Sequence, residues 1–541
     1  MPLTTSYWPA DTSVALLPTT VGSVLRDTAA AVPDRVALVE GVTDPAGRRR
    51  WTYAELLADA EQTAHALLTC FEPGEHVAVW APNVPEWVLL QYGAALAGVV
   101  LVTVNPAYKA SELEYVLRQS RAAGVFTMTE YRGNPMASAV ASVRSELPEL
   151  RHVVQFSEWS EFTAAGTATG AARALPDVAP DDPAALLYTS GTTGFPKGAL
   201  LHHRGITNDA RFIATRFGMT DGDTHVSPMP LFHVGGCVIA VLGTVSVAGT
   251  YVPLVAFEAG LMLELIETER ASLCGGVPTM LLAMMEHPDF ATRDLSALHV
   301  VGSGGAPVPA EMVRSIQRGL GVDFSIVFGQ TECSAVATQT DLDDSPEDKA
   351  ETVGRPLPNI EVKVIDVASG DTVPTGTLGE LCVRGFCVMH GYYDMPDATG
   401  AAIDADRWLH TGDLGTMDER GYCRIEGRLK DMIIRGGENI YPREIEAVLY
   451  DHPAVADAAV VGIPDDRWGE QVVAFVRLAE GRHATPNELA AFARERLAAY
   501  KTPRTWVFVD AFPLTGSGKI QKFQLREQLV KGDLSPAATA G

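Results

Sequence analysis

The chain reads as an α/β protein of more than one domain, and three observations predict it. Helix-like and strand-like apolar segments alternate through roughly the first 350 residues, the mark of parallel sheets covered by helices. From about Gly354 the pattern changes to short alternating runs, which predict a small β-rich subdomain. Beyond Lys430 a compact α/β pattern begins again. The length, 541 residues, exceeds one ordinary core, and 47% hydrophobic content beside 20% charged belongs to a globular protein that buries a great deal.

Glu86–Ala97 reads as a helix, Gly98–Val104 as a strand, Ala184–Leu187 as a second strand and Gly260–Glu269 as another helix. Residues 234–257 carry no charge and have the length of a membrane span. Glycines at 235, 236, 243 and 249, with Pro253, favour instead a buried helix turning into a buried strand. In the β-rich part, Ile360, Val362 and Val364 alternate, as do Leu381 and Val383, with turn residues at Ser369-Gly370 and Pro374–Gly379 between them. In the last part Pro442 opens a helix whose apolar face is Ile445, Val448 and Leu449, stopping at His452-Pro453. Strands are predicted at Ala458–Val461 and Val472–Val476, and Thr485 with Glu488 forms a capping box for a helix ending near Tyr500.

Charge excludes some partners. The formal charge is −25, from 42 Lys and Arg against 67 Asp and Glu, so nucleic acid and anionic membrane surfaces are repelled at long range. An anionic substrate would need basic residues gathered locally. The seven cysteines are odd in number and show no CxxC or Cys/His metal spacing, which predicts packing residues in a reducing compartment. The start MPLTTSYWPADTSV lacks a basic stretch followed by an apolar one, and the expectation is a cytoplasmic protein.

Chemistry concentrates first in Leu187–Gly198, LYTSGTTGFPKG, a glycine-rich loop after a strand-like run. Glycines let successive N–H groups converge on an anion, Thr189, Ser190, Thr192 and Thr193 add hydroxyl donors, and Lys197 adds charge. It is not a Walker A loop, because Lys197 follows Pro196 and no Ser or Thr follows the lysine. A flexible polar linker has a similar composition, so the loop alone decides little. Further motifs follow: FGQTE at 328–332, WLHTGD at 408–413, GRLKD at 427–431, RGGENIYPREIE at 435–446 and GSGKIQK at 516–522.

Taken in this order the six motifs resemble the acyl- and aryl-CoA synthetases of the adenylate-forming superfamily, with the closest likeness to short- and medium-chain fatty acyl-CoA synthetases. The resemblance implies a large N-terminal adenylation domain, residues 1–429, of two parallel helix-covered sheets plus a small β-barrel-like subdomain at about 354–429. It also implies a small mobile α/β domain at 430–541, hinged at Lys430. The implied activity joins a carboxylic acid to ATP, giving an acyl-adenylate and pyrophosphate, after which the thiol of coenzyme A takes the acyl group and AMP leaves. Magnesium accompanies the nucleotide. A homodimer is one possible assembly.

Carried onto this sequence, the resemblance gives Lys519, Glu332, Thr193 and His233 as candidate catalytic residues, with Glu332 and Thr193 the metal-associated pair. Nucleotide contacts are expected from Thr189, Ser190, Gly191, Thr192, Thr193, Gly194 and Lys197 in the loop. Gly304, Gly305 and Ala306 would lie along the adenine, Phe328 would stack on it, and Gly329, Gln330 and Thr331 complete that strand end. Asp413 would accept from both ribose hydroxyls beside Arg428, as a two-oxygen acceptor can. Lys519 would bridge the carboxylate and the α-phosphate, and Lys430, Gly436, Gly437 and Glu438 would serve the CoA-bound state. Phe232, His233 and Gly236 match the acyl-pocket stretch, although His233 reads equally well as a buried core histidine. Small and apolar neighbours favour an uncharged alkyl or aryl chain. The alternative acceptor is a separate carrier protein taking an aryl acid.

Overall fold

The computed structural model describes residues 2–168, 174–189, 196–306, 308–436, 438–465, 467–515 and 518–537. By contact the chain divides into two compact units. One comprises Met1–Tyr7, Lys363–Leu381 and Thr411–Gly541, and the other Trp8–Val362 and Cys382–His410.

The larger unit holds two mixed sheets. The first runs Gly391–Tyr392, Lys197–His202, Pro183–Thr189, Val100–Val104, His76–Trp80, Gly124–Thr127 and His152–Gln155, parallel from Pro183–Thr189 onward and antiparallel at the other end. Val100–Val104 is buried at every residue, as a parallel strand covered on both faces must be. The helix Pro85–Ala97 that feeds it is buried on all sides, opens on Pro85 and ends on Gly98 in the left-handed region. Its apolar content is therefore not a stripe but a full circumference.

The second sheet has nine strands in the order Arg355–Pro356, Thr338–Gln339, Asp323–Phe328, Val300–Gly304, Leu273–Gly276, Thr224–Ser227, Thr250–Pro253, Val36–Val39 and Arg50–Thr52. The strands from Asp323–Phe328 to Val36–Val39 are parallel. Residues 234–257 form a π-helix, Gly235–Leu242, a short α-helix, Gly243–Ser246, and the strand Thr250–Pro253. Among the described residues no helix is long and apolar enough to cross a membrane.

An open five-stranded sheet, Tyr7–Trp8, Ile360–Ile365, Gly379–Gly385, Leu409–Met417 and Cys423–Arg428, lies mostly in the smaller unit. The barrel-like subdomain is thus a sheet with two free ends rather than a closed barrel, because its first and last strands do not pair. The C-terminal part is a second sheet, Glu438–Ile440, Ile433–Arg435, Gly469–Leu478 and Val455–Asp465, with Thr505–Phe508 parallel to Gly469–Leu478. Alternate residues face opposite sides. Ala458 and Val460 pack with Ile445, Leu449 and Leu489 from helices Pro442–Tyr450 and Pro486–Arg494, whereas Ala459 and Val461 pack with Leu525 from helix Lys522–Lys531. The Thr485 capping box is present, but its helix ends at Arg494, short of Tyr500. The following residues turn instead, so that Thr505–Phe508 can enter the sheet.

Candidate active site

In parallel sheets ligands gather at the carboxyl ends of strands, and the sequence motifs of the larger unit lie there. Val300–Gly304 and Asp323–Phe328 run side by side with Ser303 opposite Ile326 and Gly304 opposite Val327. That register sets Gly304, Gly305 and Ala306 beside Phe328, Gly329, Gln330 and Thr331. Gly304 is required by close approach, since a Cβ there would stand 2.4 Å from the Val327 carbonyl oxygen. The Gln330 Nε2 is buried and finds no hydrogen-bond partner among the described residues, so this strand end offers an unused donor.

Glu332 follows in a short 3₁₀ turn, Thr331–Cys333, and is 8% exposed. The Tyr392 hydroxyl donates to its Oε1 at 2.7 Å, and the Met389 N–H donates to its backbone oxygen at 2.9 Å. Lys197 lies over the Tyr392 ring, 5.0 Å from its centre. Lys197, Tyr392 and Glu332 are thereby joined. The strand pairing explains it: Tyr392 lies opposite Ala199 on Lys197–His202. Burial, then the Glu332 charge, pushes the Tyr392 hydroxyl well above the usual tyrosine range, so it remains a donor.

A buried carboxylate with one oxygen oriented by a neutral donor suits a hard divalent cation, and Glu332 would hold magnesium through that group. Thr189 faces Lys197 across the hairpin formed by Pro183–Thr189 and Lys197–His202, with its Oγ1 donating to the Lys197 oxygen at 3.4 Å. The loop between them, with Ser190, Gly191, Thr192, Thr193 and Gly194, lies outside the described residues, as does Gly437. His233 is half-buried and its Nδ1 accepts from the Gly235 N–H at 3.1 Å, leaving the proton of the neutral ring on Nε2. The Phe232 oxygen accepts from Thr103 at 2.8 Å, and the Cys237 oxygen, on the π-helix, accepts from Gln91 at 2.9 Å. Behind Cys237 and Val238 lies a cavity of about 20 Å³ lined by Trp87, Gln91, Thr103 and Leu187, room for a single water.

The smaller unit holds the second cluster. Asp413 on Leu409–Met417 lies opposite Arg428 on Cys423–Arg428, and Arg428 Nε donates to its Oδ1 at 3.0 Å. The turn before it is fixed by the Thr411 hydroxyl, which donates to the Leu381 oxygen and accepts from the Asp413 N–H. Asp413 is 4% exposed, and burial raises its pKa against the opposing charges of Arg428, Lys519 and Lys430. Arg428 bonds this carboxylate, and the charges of Lys430 and Lys519, from GRLKD and GSGKIQK, act on it as well. The surface of Lys430 is exposed, yet atoms crowd its ammonium, and that desolvation, with the Arg428 charge, lowers its pKa. An acidic molecule has gathered positive charge at one strand end.

Basic residues farther along the smaller unit have internal partners. Arg435 donates to the Tyr500 oxygen at 3.0 Å and lies over the Trp468 ring. Lys501 pairs with Glu444 at 2.6 Å. Arg443 faces the charges of Glu426, Glu446 and Asp413, although burial lowers its pKa. Gly436 has φ +61° and donates to the Trp468 oxygen at 2.7 Å, while Glu438 is exposed on Glu438–Ile440. All seven cysteines are free, and all but Cys70 are buried. Tyr392 is the residue that sequence reasoning missed; its only sequence signal is the aromatic pair of GYYD at 391–394.

Residues 25–393 match the AMP-binding enzyme family, and residues 444–519 match the AMP-binding enzyme C-terminal domain. The chain is 43% identical over 542 residues to the putative acyl-CoA synthetase YngI of Bacillus subtilis (strain 168), covering 95% of this chain and 98% of the relative. It is 37% identical over 557 residues to the mitochondrial medium-chain acyl-CoA ligase ACSF2 of Homo sapiens, covering 97% and 90%. Solved structures are similar as well, two of them over nearly the whole chain. ATP-bound MatB from Rhodopseudomonas palustris is 29% identical with a TM-score of 0.86, over 95% of this chain and 99% of that one. The anthranilate CoA ligase AuaEII with anthranoyl-AMP is 27% identical with a TM-score of 0.87, over 96% and 99%. The chain therefore belongs to the AMP-binding enzyme family, with acyl-CoA synthetases among its relatives.

Proposed function

We propose that the protein is an AMP-forming acid–CoA ligase whose acid is a short- to medium-chain fatty acid, acting in the cytoplasm. The observation that carries this reading is the buried Asp413 carboxylate bonded by Arg428 at 3.0 Å, on which the charges of Lys519 and Lys430 also act. A carboxylate attacking the α-phosphate brings two anions together, so positive charge placed where they meet lowers the barrier. Lys519 supplies it: its ammonium spans the attacking carboxylate and an α-phosphate oxygen. Asp413 accepts from the ribose hydroxyls, and Arg428 fixes that carboxylate from the other side. Phe328 stacks on the adenine, and the Gln330 amide has a donor to give. Lys197 and the loop it closes hold the leaving pyrophosphate. Magnesium, when bound at Glu332, neutralises phosphate charge.

For the second step the segment from residue 430 onward turns about Lys430, withdrawing Lys519 and presenting Gly436, Gly437 and Glu438 to the pantetheine arm. His233 and Phe232 border the acyl chain, whose apolar surroundings are supported by the buried π-helix behind them. Medium-chain specificity is supported by the name of the Homo sapiens relative, and the cytoplasm by the seven unpaired cysteines. The test is a panel of straight-chain acids from acetate to palmitate, with benzoates and cinnamates, scored by acid-dependent pyrophosphate release and by acyl-CoA mass. The reading predicts a maximum among short to medium alkyl acids. Pyrophosphate release with none of them would overturn it.

A further inference from the structure

Helix Pro442–Tyr450 covers one face of the C-terminal sheet and helix Lys522–Lys531 the other, and between them runs the edge strand Val455–Asp465. An edge strand leaves N–H groups unpaired. At Val460 that N–H donates to Glu446 Oε1 at 2.7 Å, and the same oxygen receives Lys522 Nζ at 2.6 Å. Glu446 comes from the first helix and Lys522 opens the second, so this ion pair clasps the two layers around the sheet edge. Glu446 is 6% exposed, which makes the pair more than a solvated surface contact.

The clasp closes three positions after Lys519. The arm that carries Lys519 is itself tightly bonded: the Lys519 N–H donates to Thr515 Oγ1 at 3.0 Å, the Thr515 N–H to the Lys519 oxygen at 2.7 Å, and the Gln521 N–H to the Pro513 oxygen at 2.8 Å. Ile520 packs against the apolar cluster that Ala459, Val461 and Val473 form with Phe475, Val507 and Leu525. The arm thus meets its foundation at Ile520 and at Lys522. We propose that Glu446 and Lys522 are positioning residues for Lys519, a half-buried ionic clasp that fixes the reach of the adenylating ammonium. This rests on the reading of Lys519 given above.

A 1 Å displacement of a reacting group costs about a hundredfold in rate. Glu446→Gln keeps an acceptor for the Val460 N–H and removes only the charge that Lys522 needs. It is predicted to slow acid-dependent ATP–pyrophosphate exchange about 10- to 100-fold with little change in KM for ATP. Thioester formation from supplied acyl-adenylate and CoA should stay within about twofold, because that step does not use Lys519. Lys522→Met should match it, the double variant should add nothing further, and Lys522→Arg should restore the rate. Parallel loss in both half-reactions would mark the pair as merely structural and overturn the proposal, as would unchanged exchange in Glu446→Gln and Lys522→Met. Lys519→Ala in the same assays separates the two ideas. If Lys519→Ala loses exchange while the clasp variants do not, the clasp alone fails; if Lys519→Ala retains exchange, the reading beneath it fails as well.

Discussion

Three cations act on Asp413, and burial still leaves its carboxyl harder to ionise than an exposed aspartate. The sign of the resulting pH dependence follows. Accepting hydrogen bonds from two ribose hydroxyls needs the carboxylate, so acidification weakens nucleotide binding at a higher pH than an ordinary aspartate would set. KM for ATP is predicted to rise toward acid pH in the parent, whereas Asp413→Asn should show a high KM whose acid rise is gone. Identical acid limbs in the two proteins would remove Asp413 from the nucleotide site. Asp413, Arg428 and Lys519 could be named from the sequence because each stands in a motif of fixed order. Tyr392 was not: it meets Glu332 across a separation of 60 residues, through a two-residue strand that no periodicity announces.

Helices whose ends are chemically marked were read well. Pro442 opens its helix, Thr485 caps with Glu488, and Glu86–Ala97 was found within one residue. The π-helix Gly235–Leu242 was invisible as such, because the apolar run fits any buried helix. Helix His203–Arg216 hides another feature. Its Asp209 is fully buried, Oδ2 accepts from the Val336 N–H at 2.9 Å, and Oδ1 has no partner among the described residues. Burial raises its pKa well above the usual value. Between the two values the folded protein keeps a proton that the unfolded chain has lost, so the contribution of Asp209 to stability is full at low pH and declines as pH rises from about 4 through the raised folded value. Asp209→Asn, which cannot ionise, should lose less thermal midpoint than the parent on going from about pH 5 to pH 8. Parallel midpoint curves would show that Asp209 does not titrate in this way.

The α/β class was legible at the scale of the whole chain. Alternating helices and strands announced the parallel sheets, and the change of pattern near Gly354 announced the β-rich sheet. What the pattern could not give was closure: whether a five-stranded sheet forms a barrel depends on its first and last strands meeting, and Tyr7–Trp8, far from the rest in sequence, occupies one free end. Nor could it show that an acidic chain would gather Arg428, Lys430 and Lys519 at one carboxylate. The proposal assigns two half-reactions to one protein, with the Lys519 ammonium needed for only the first. Lys519→Ala tests it most directly, with acid-dependent ATP–pyrophosphate exchange and thioester formation from supplied acyl-adenylate measured on the same preparation. Exchange should fall by about a hundredfold or more while thioester formation stays within a few-fold; exchange that persists undiminished would contradict the account.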